Sequence, residues 1–251
     1  MNTPWLSPPF SLILSQDEVH VWRVPLDPPD EEAARFASLL APDEAARAAR
    51  YRYAELRREY VVGRGALRAL LGAYLGAAPR QVALDYEDRG RPVLAANFAG
   101  SGLRFNLSNA RDLALIAITR GRGVGVDLES DRRRIVLRDV AARFFAPAEC
   151  ERLFALPEDT QRQAFFDCWT RKEAYLKARG TGLSRPLDRF EVAFAPGQPA
   201  ALLKDETDPG APDRWSLTAL EGLPGYTAAL AVEAREFRLA CFEFLLNPEH
   251  R

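Results

Sequence analysis

Apolar positions recur along this chain with two periods. Between Glu55 and Leu75 the apolar Val61, Leu67, Leu70, Leu71 and Leu75 read as the core-facing side of an amphipathic helix, the last four spaced three or four apart. Arg57, Arg58, Arg64 and Arg68 are expected together on another face of that helix. Asp30 to Leu40 and Asp43 to Tyr53 also read as helices, the second with Pro42 at its start. Leu137 to Phe145 is a further helix, and Pro147 starts another. Glu158 to Arg179 is a long one, with Gly180 as its stop. Weak alternation marks a strand at Val19 to Val24, and turn residues separate short strands at Arg104 to Leu107, Ala114 to Thr119 and Val124 to Glu129. Four more are expected around 190–194, 215–220, 227–233 and 237–243. Gly90-Arg91-Pro92 reads as a turn, and 197–212, rich in Pro, Gly and Asp, as an exposed loop. Each half thus offers one long helix and several strands. The order of elements suggests an α+β chain of two similar halves, 1–122 and 123–251, although no sequence repeat is visible.

Composition narrows the class. The 251 residues, 47% hydrophobic and 27% charged, suit one large or two small globular domains. A net charge of -1 leaves no general nucleic-acid footprint. The arginines are nevertheless uneven: Arg47, Arg50, Arg52, Arg57, Arg58, Arg64 and Arg68 crowd one stretch, where an anion site is possible. Cys150, Cys168 and Cys241 have neither disulfide-framework nor zinc spacing, which points to a reducing cytoplasm. No apolar run nears the ~20 residues of a membrane span, and the N-terminus has no signal-peptide pattern. His20 and His250, both near chain ends, make histidine general-base chemistry and a serine–histidine triad poor expectations.

The chemistry-bearing residues sit in two segments. In Gly125-Val126-Asp127-Leu128-Glu129 the two carboxylates are two apart on a strand and leave the same side of it. They repel, and a divalent cation would relieve that repulsion. The bland alternative is a solvated strand edge, since Val124, Val126 and Leu128 already supply a buried face. In the segment from Cys168 to Lys177, residues Trp169, Glu173 and Lys177 are four apart on one helix face. Glu173 and Lys177 taken alone also fit a surface ion pair worth ~0.3 kcal/mol. Gly121, Gly123 and Gly125 do not read as a nucleotide loop, because they precede a strand instead of following one into a helix.

Together these segments resemble the signature of the 4′-phosphopantetheinyl transferases of the surfactin-synthetase-activating type: Gly-(Val/Ile)-Asp-(Ile/Leu)-Glu, then Trp-x-x-Lys-Glu-(Ala/Ser)-x-x-Lys. Weaker elements agree in order. They are Val21-Trp22, Gly90-Arg91-Pro92, Phe105-Asn106-Leu107-Ser108, the run from Phe144 to Glu149, the run from Gly182 to Leu187, and the run from Gly225 to Leu230. The resemblance spans roughly 19–235. One departure stands at Asn109-Ala110, where many relatives have His-Ser; Asn109 can donate a hydrogen bond but carries no positive charge.

The resemblance implies a monomeric, pseudo-two-fold pair of α/β subdomains with the active site in the cleft between them. It implies transfer of 4′-phosphopantetheine from coenzyme A to a serine of an apo acyl or peptidyl carrier protein, releasing adenosine 3′,5′-bisphosphate. Asp127, Glu129 and Glu173 are then expected to ligate magnesium, with manganese as a substitute. Glu173 is also expected as the base for the serine proton, and Lys177 on the pyrophosphate. Arg47, Arg58 and Arg64 are expected on the 3′-phosphate, with Arg91, Ser108 and Asn109 near the nucleotide. Turn and strand-end roles remain open for Arg91 and Ser108, as does an exposed helix face for the arginines. Trp169 is expected as a core residue that anchors its helix on the sheet, and Lys172 as a solvated side chain. Neither nucleic acid nor membrane is an expected partner. The rival readings are another magnesium-dependent phosphohydrolase and a non-catalytic module that binds coenzyme A or a carrier protein.

Overall fold

The computed structural model describes residues 4–87, 90–180 and 185–245. Gly182, Leu183 and Ser184 of the quoted motif lie outside these, as does His250. The chain divides into two compact units, one of Trp5–Gly121 with the chain from Leu239 onward, the other centred on Arg122–Arg238.

In the first unit, β1 (Trp5–Leu6) and β2 (Glu18–Pro25) precede three helices: α1 (Asp30–Ser38), α2 (Pro42–Ala49) and α3 (Ala54–Leu75). A small hairpin of β3 (Leu84–Tyr86) and β4 (Pro92–Leu94) follows, then β5 (Leu103–Ala110) and β6 (Leu113–Arg120). β6 pairs antiparallel with β2 on one side and β5 on the other. α3 packs its buried residues Val62, Ala66, Leu67, Leu70 and Leu71 into a core with Trp22, Phe105 and Ile116. It ends where Gly76 takes a left-handed φ of 63°, a conformation glycine adopts at no steric cost.

The second unit opens with β7 (Val124–Ser130), α4 (Leu137–Phe144), α5 (Pro147–Phe154) and α6 (Glu158–Arg179). It closes with β8 (Phe190–Ala193), β9 (Ala201–Asp205), β10 (Ser216–Leu220) and β11 (Tyr226–Val232). β11 lies between β10 and β7 in an antiparallel three-stranded sheet. α6 packs against it over a core of Phe165, Phe166, Tyr175, Ala229 and Ala231. The last strand, β12 (Arg238–Glu243), returns to the first unit and lies between β1 and β2 in its five-stranded sheet. The expected second half therefore ends near Arg238, and the remaining chain belongs with the first unit.

Three expectations need correction. α2 stops at Ala49 instead of running to Tyr53; the chain turns there, and Tyr51 packs on Tyr60 of α3 with ring centroids 5.4 Å apart. The 197–212 stretch is not simply an exposed loop, because it contains β9, which pairs antiparallel with β8. Leu202 and Asp205 of β9 are buried, Asp205 being held by Arg185 and by Tyr175 Oη at 2.7 Å. The α3 arginines do not share a solvent face: Arg68 is buried against Glu44 while Arg57 is exposed. The Gly90-Arg91-Pro92 turn is present as expected, with Gly90 at φ 76°, and joins two three-residue strands too short to show a period.

Candidate functional site

Backbone packing brings the two signature segments together. Gly125, Asp127 and Glu129 alternate onto one face of β7. A Cβ at Gly125 would sit 2.1 Å from the carbonyl oxygen of Ala174 and 2.4 Å from the amide nitrogen of Ala178, both on α6. Only glycine lets the helix lie this close, so the face with the carboxylates is the face that meets α6. Val124, Val126 and Leu128 are buried on the opposite face. Asp127 is thus not on a solvated edge: its side chain is only 7% exposed.

Lys177 reaches across from α6 and places Nζ 2.5 Å from Asp127 Oδ1. Arg133, in the loop after β7, pairs with Glu129 and lies over the Trp169 ring, 5.7 Å from its centroid. Burial pushes Glu173 up to about 7; Asp127 and, more weakly, Glu129 add to the rise, while Lys177 and Arg133 oppose it. Burial, then the Asp127 charge, also holds Glu129 above the ordinary carboxylate range, against Arg133, Lys177 and a hydrogen bond from Trp169. Three acids and one lysine from two elements therefore sense one another electrostatically.

Among the described residues, no three carboxylate, histidine or cysteine side chains stand close enough together to hold a metal as placed. The donor chemistry nonetheless fits a hard divalent cation. Asp127, Glu129 and Glu173 offer oxygen ligands only; burial, with their crowded negative charge adding to it, lifts Glu129 and Glu173 toward protonation. Lys177 engages Asp127 through Oδ1 and Arg133 engages Glu129 through Oε1, so each pair occupies one oxygen of its carboxylate.

Two expected roles change. Lys172 is not solvated: it is wholly buried, with Nζ 2.7 Å from Glu149 Oε2. It also donates to the carbonyl oxygens of Leu187, at 2.8 Å, and Phe190. Trp169 is a packing residue, but its aromatic partners are helical more than sheet-borne. It stacks on Phe165 at 6.0 Å and meets the Phe144 edge at 5.6 Å. Its hydrogen bond to Glu129 is its link to β7.

The first unit holds the other expected residues. Arg47 and Arg64 come together, their guanidinium groups 5.4 Å and 5.7 Å from the Tyr60 ring centroid. Arg64 also lies 5.7 Å from the Tyr86 ring centroid and 3.6 Å from Glu44. Among the described residues, its buried Nη1 and the buried Tyr60 Oη have no hydrogen-bond partner. Arg58 is elsewhere engaged, with Asp27 at 3.0 Å, Asp30 at 2.8 Å and the Pro28 carbonyl. Arg91 pairs with Glu87 at 2.9 Å in the β3–β4 turn. Ser108 is buried and Asn109 exposed, as neighbours on opposite faces of β5.

Sequence reasoning missed the aromatic cradle of Tyr51, Tyr60 and Tyr86 and two buried glutamates. Glu44 accepts the amide of Ala41 at 2.9 Å, and Glu149 the amide of Ala146 at 2.9 Å. Each is the last residue of a matching stretch, Ala41-Pro42-Asp43-Glu44 and Ala146-Pro147-Ala148-Glu149, identical at three of four positions. That Ala-Pro-x-Glu match is a short internal repeat that was available in the sequence.

The profile of the 4′-phosphopantetheinyl transferase superfamily matches residues 123–231, and that of the 4′-phosphopantetheinyl transferase N-terminal domain matches 25–120. Among curated relatives, the 4′-phosphopantetheinyl transferase HetI of Nostoc sp. is 46% identical over 91% of this chain and 93% of its own. The enzyme Sfp of Bacillus subtilis is 26% identical over 82% of this chain and 88% of its own. The psf-1 enzyme of Bacillus pumilus is 28% identical over 78% and 84%.

Proposed function

The chain belongs to the 4′-phosphopantetheinyl transferase superfamily, and we propose that it moves 4′-phosphopantetheine from coenzyme A to a serine of an apo acyl or peptidyl carrier protein. The observation that carries this reading is the meeting of Glu173 and Lys177 with Asp127 and Glu129. In the reaction, the serine Oγ forms a bond to the β-phosphorus of coenzyme A. The bond from that phosphorus to the bridging oxygen breaks, and adenosine 3′,5′-bisphosphate leaves with the electron pair. Such transfers depend on placement and charge compensation more than on covalent help.

Glu173 takes the serine proton. In the metal-free protein its carboxyl is raised to about 7, close to the proton affinity that suits a base near neutral pH. Lys177 places its ammonium on the pyrophosphate and follows the charge that grows on the leaving oxygen. Asp127, Glu129 and Glu173 would hold magnesium, or manganese in its place. When bound, that ion offsets the charge of the pyrophosphate. In the first unit, the buried Arg64 Nη1 and Tyr60 Oη, unpartnered among the described residues, would donate to the 3′-phosphate, with Arg47 beside them. Arg58 serves this role only by exchanging its two aspartates for the ligand. Arg91, Ser108 and Asn109 complete the nucleotide contacts. Exposed Arg132, Arg133, Arg134, Arg138 and Arg143 follow β7 and would steer an acidic carrier helix.

Release of adenosine 3′,5′-bisphosphate from coenzyme A, followed by chromatography with and without apo carrier protein, tests the reading. Release that requires the carrier is the expected result. Release at the same rate without a carrier would mean a phosphohydrolase instead.

A further inference from the structure

The fully buried Glu149–Lys172 pair does more than fill the core. The three ammonium hydrogens of Lys172 meet three acceptors: Glu149 Oε2 and the carbonyls of Leu187 and Phe190. Glu149 in turn accepts the amides of Ala146 and of Val192, each at 2.9 Å. One ion pair thereby joins the first turn of α5, the middle of α6 and the start of β8. Buried pairs rarely outdo apolar residues of equal volume in stability, so stability alone gives no reason for this one. What it supplies is direction. Lys172 is next to Glu173 in sequence, and the two side chains leave α6 about 100° apart. The Gly125 contact sets how deeply α6 lies on β7, while Lys172 sets how the helix is rotated about its own axis. A rotation of about 20° would carry a carboxylate lying roughly 6 Å from the axis through about 2 Å, and ~1 Å is enough to cost ~100-fold in rate.

The first unit repeats the device with the other cation. Glu44, like Glu149, follows Ala-Pro-x and accepts the amide of the residue three before it. It pairs with Arg68 of α3, which also donates to the carbonyls of Pro79 and Val82, each at 2.9 Å. Arg64 stands one turn earlier on the same helix.

We propose that Glu149 and Lys172 are positioning residues that fix the rotation of α6, aiming Glu173 and Lys177 at Asp127 and Glu129. Glu44 and Arg68 do the same for α3 and its Arg64. This inference rests on the transfer reading for its kinetic consequences, though not for its structural one.

The test uses the full chain and three variants: Glu149→Gln with Lys172→Met, Glu44→Gln with Arg68→Met, and Lys172→Arg. The Glu149/Lys172 double variant removes both charges at nearly constant volume. Its kcat is expected to fall about 10- to 100-fold with KM for coenzyme A within about threefold. The Glu44/Arg68 double variant is expected to raise that KM more than about tenfold, with kcat within about threefold. Lys172→Arg should keep kcat within about fivefold, since arginine performs this task in the first unit. Equal losses in kcat and KM for both double variants, tracking melting temperature, would overturn the proposal. If the Glu149/Lys172 double variant does not fold, Lys172→Arg decides: wild-type melting without transfer would overturn it. A crystal structure of the double variant is independent of transfer. It should show the Glu173 carboxylate displaced, and an unrotated α6 would contradict the inference even if the wild type proved inactive on every carrier.

Discussion

At the residue scale, Glu173 raised to about 7 is close to half protonated at neutral pH. Its folded-state proton affinity exceeds that of the unfolded chain, so the folded protein binds more protons between about pH 4.5 and 7. Stability of the metal-free protein should therefore fall as pH rises through that window. Glu129, shifted the same way, adds to the loss. Magnesium, which needs ionised ligands, should restore melting temperature more at pH 8 than at pH 5; thermal melts at both values check this. Asp127→Ala is expected to lower transfer by at least ~1,000-fold with circular dichroism unchanged, and Lys177→Met by ~100-fold or more. Transfer at the wild-type rate in the Asp127 variant would remove the basis for the carboxylate assignment. That Asp127 and Glu129 share one face of β7, and Glu173 and Lys177 one face of α6, was legible from spacing, while the roles expected of them came from the family resemblance. The counter-charges were not legible. Arg133 reaches Glu129 through a loop, and Glu44 meets Arg68 across 24 positions of chain. No local period records such contacts.

Among elements, the contact between β7 and α6 controls the site. Gly125→Ala places a methyl carbon inside van der Waals contact with backbone atoms that cannot rotate away. The cost is expected to be about 2–3 kcal/mol in chemical denaturation, with a larger loss of transfer than of stability. The C-terminal end of α6 was readable from Gly180, which is in a left-handed conformation at φ 71°. Its environment was less so, because α6 is buried around much of its circumference and so lacks a single apolar stripe. β9 escaped notice for a different reason. Its neighbours Pro196, Gly197, Gly210 and Pro212 are turn formers. Its buried Asp205 is satisfied by Arg185 and Tyr175, distant in sequence, as well as by the nearby Thr207 and Asp208 amides.

On the scale of the whole molecule, the chain builds two units, each with a 22-residue helix on a sheet, and it closes the first unit last. Phe242 of β12 packs 4.9 Å from the Trp22 ring and 5.1 Å from His20. A chain cut after Arg238 should lose that strand from between β1 and β2. Limited proteolysis should then cut within Trp5–Gly121 far sooner than in the full chain; equal resistance would mean that β12 is dispensable. Among the described residues, no helix is long and apolar enough to cross a membrane. The central claim is transfer, and intact-mass spectrometry of an apo carrier protein incubated with this enzyme, coenzyme A and magnesium tests it most directly. The account predicts a gain of one phosphopantetheine group per carrier, abolished by a chelator and by replacing the acceptor serine with alanine. Carriers of the fatty-acid, polyketide and peptide classes that all keep their apo mass would contradict it.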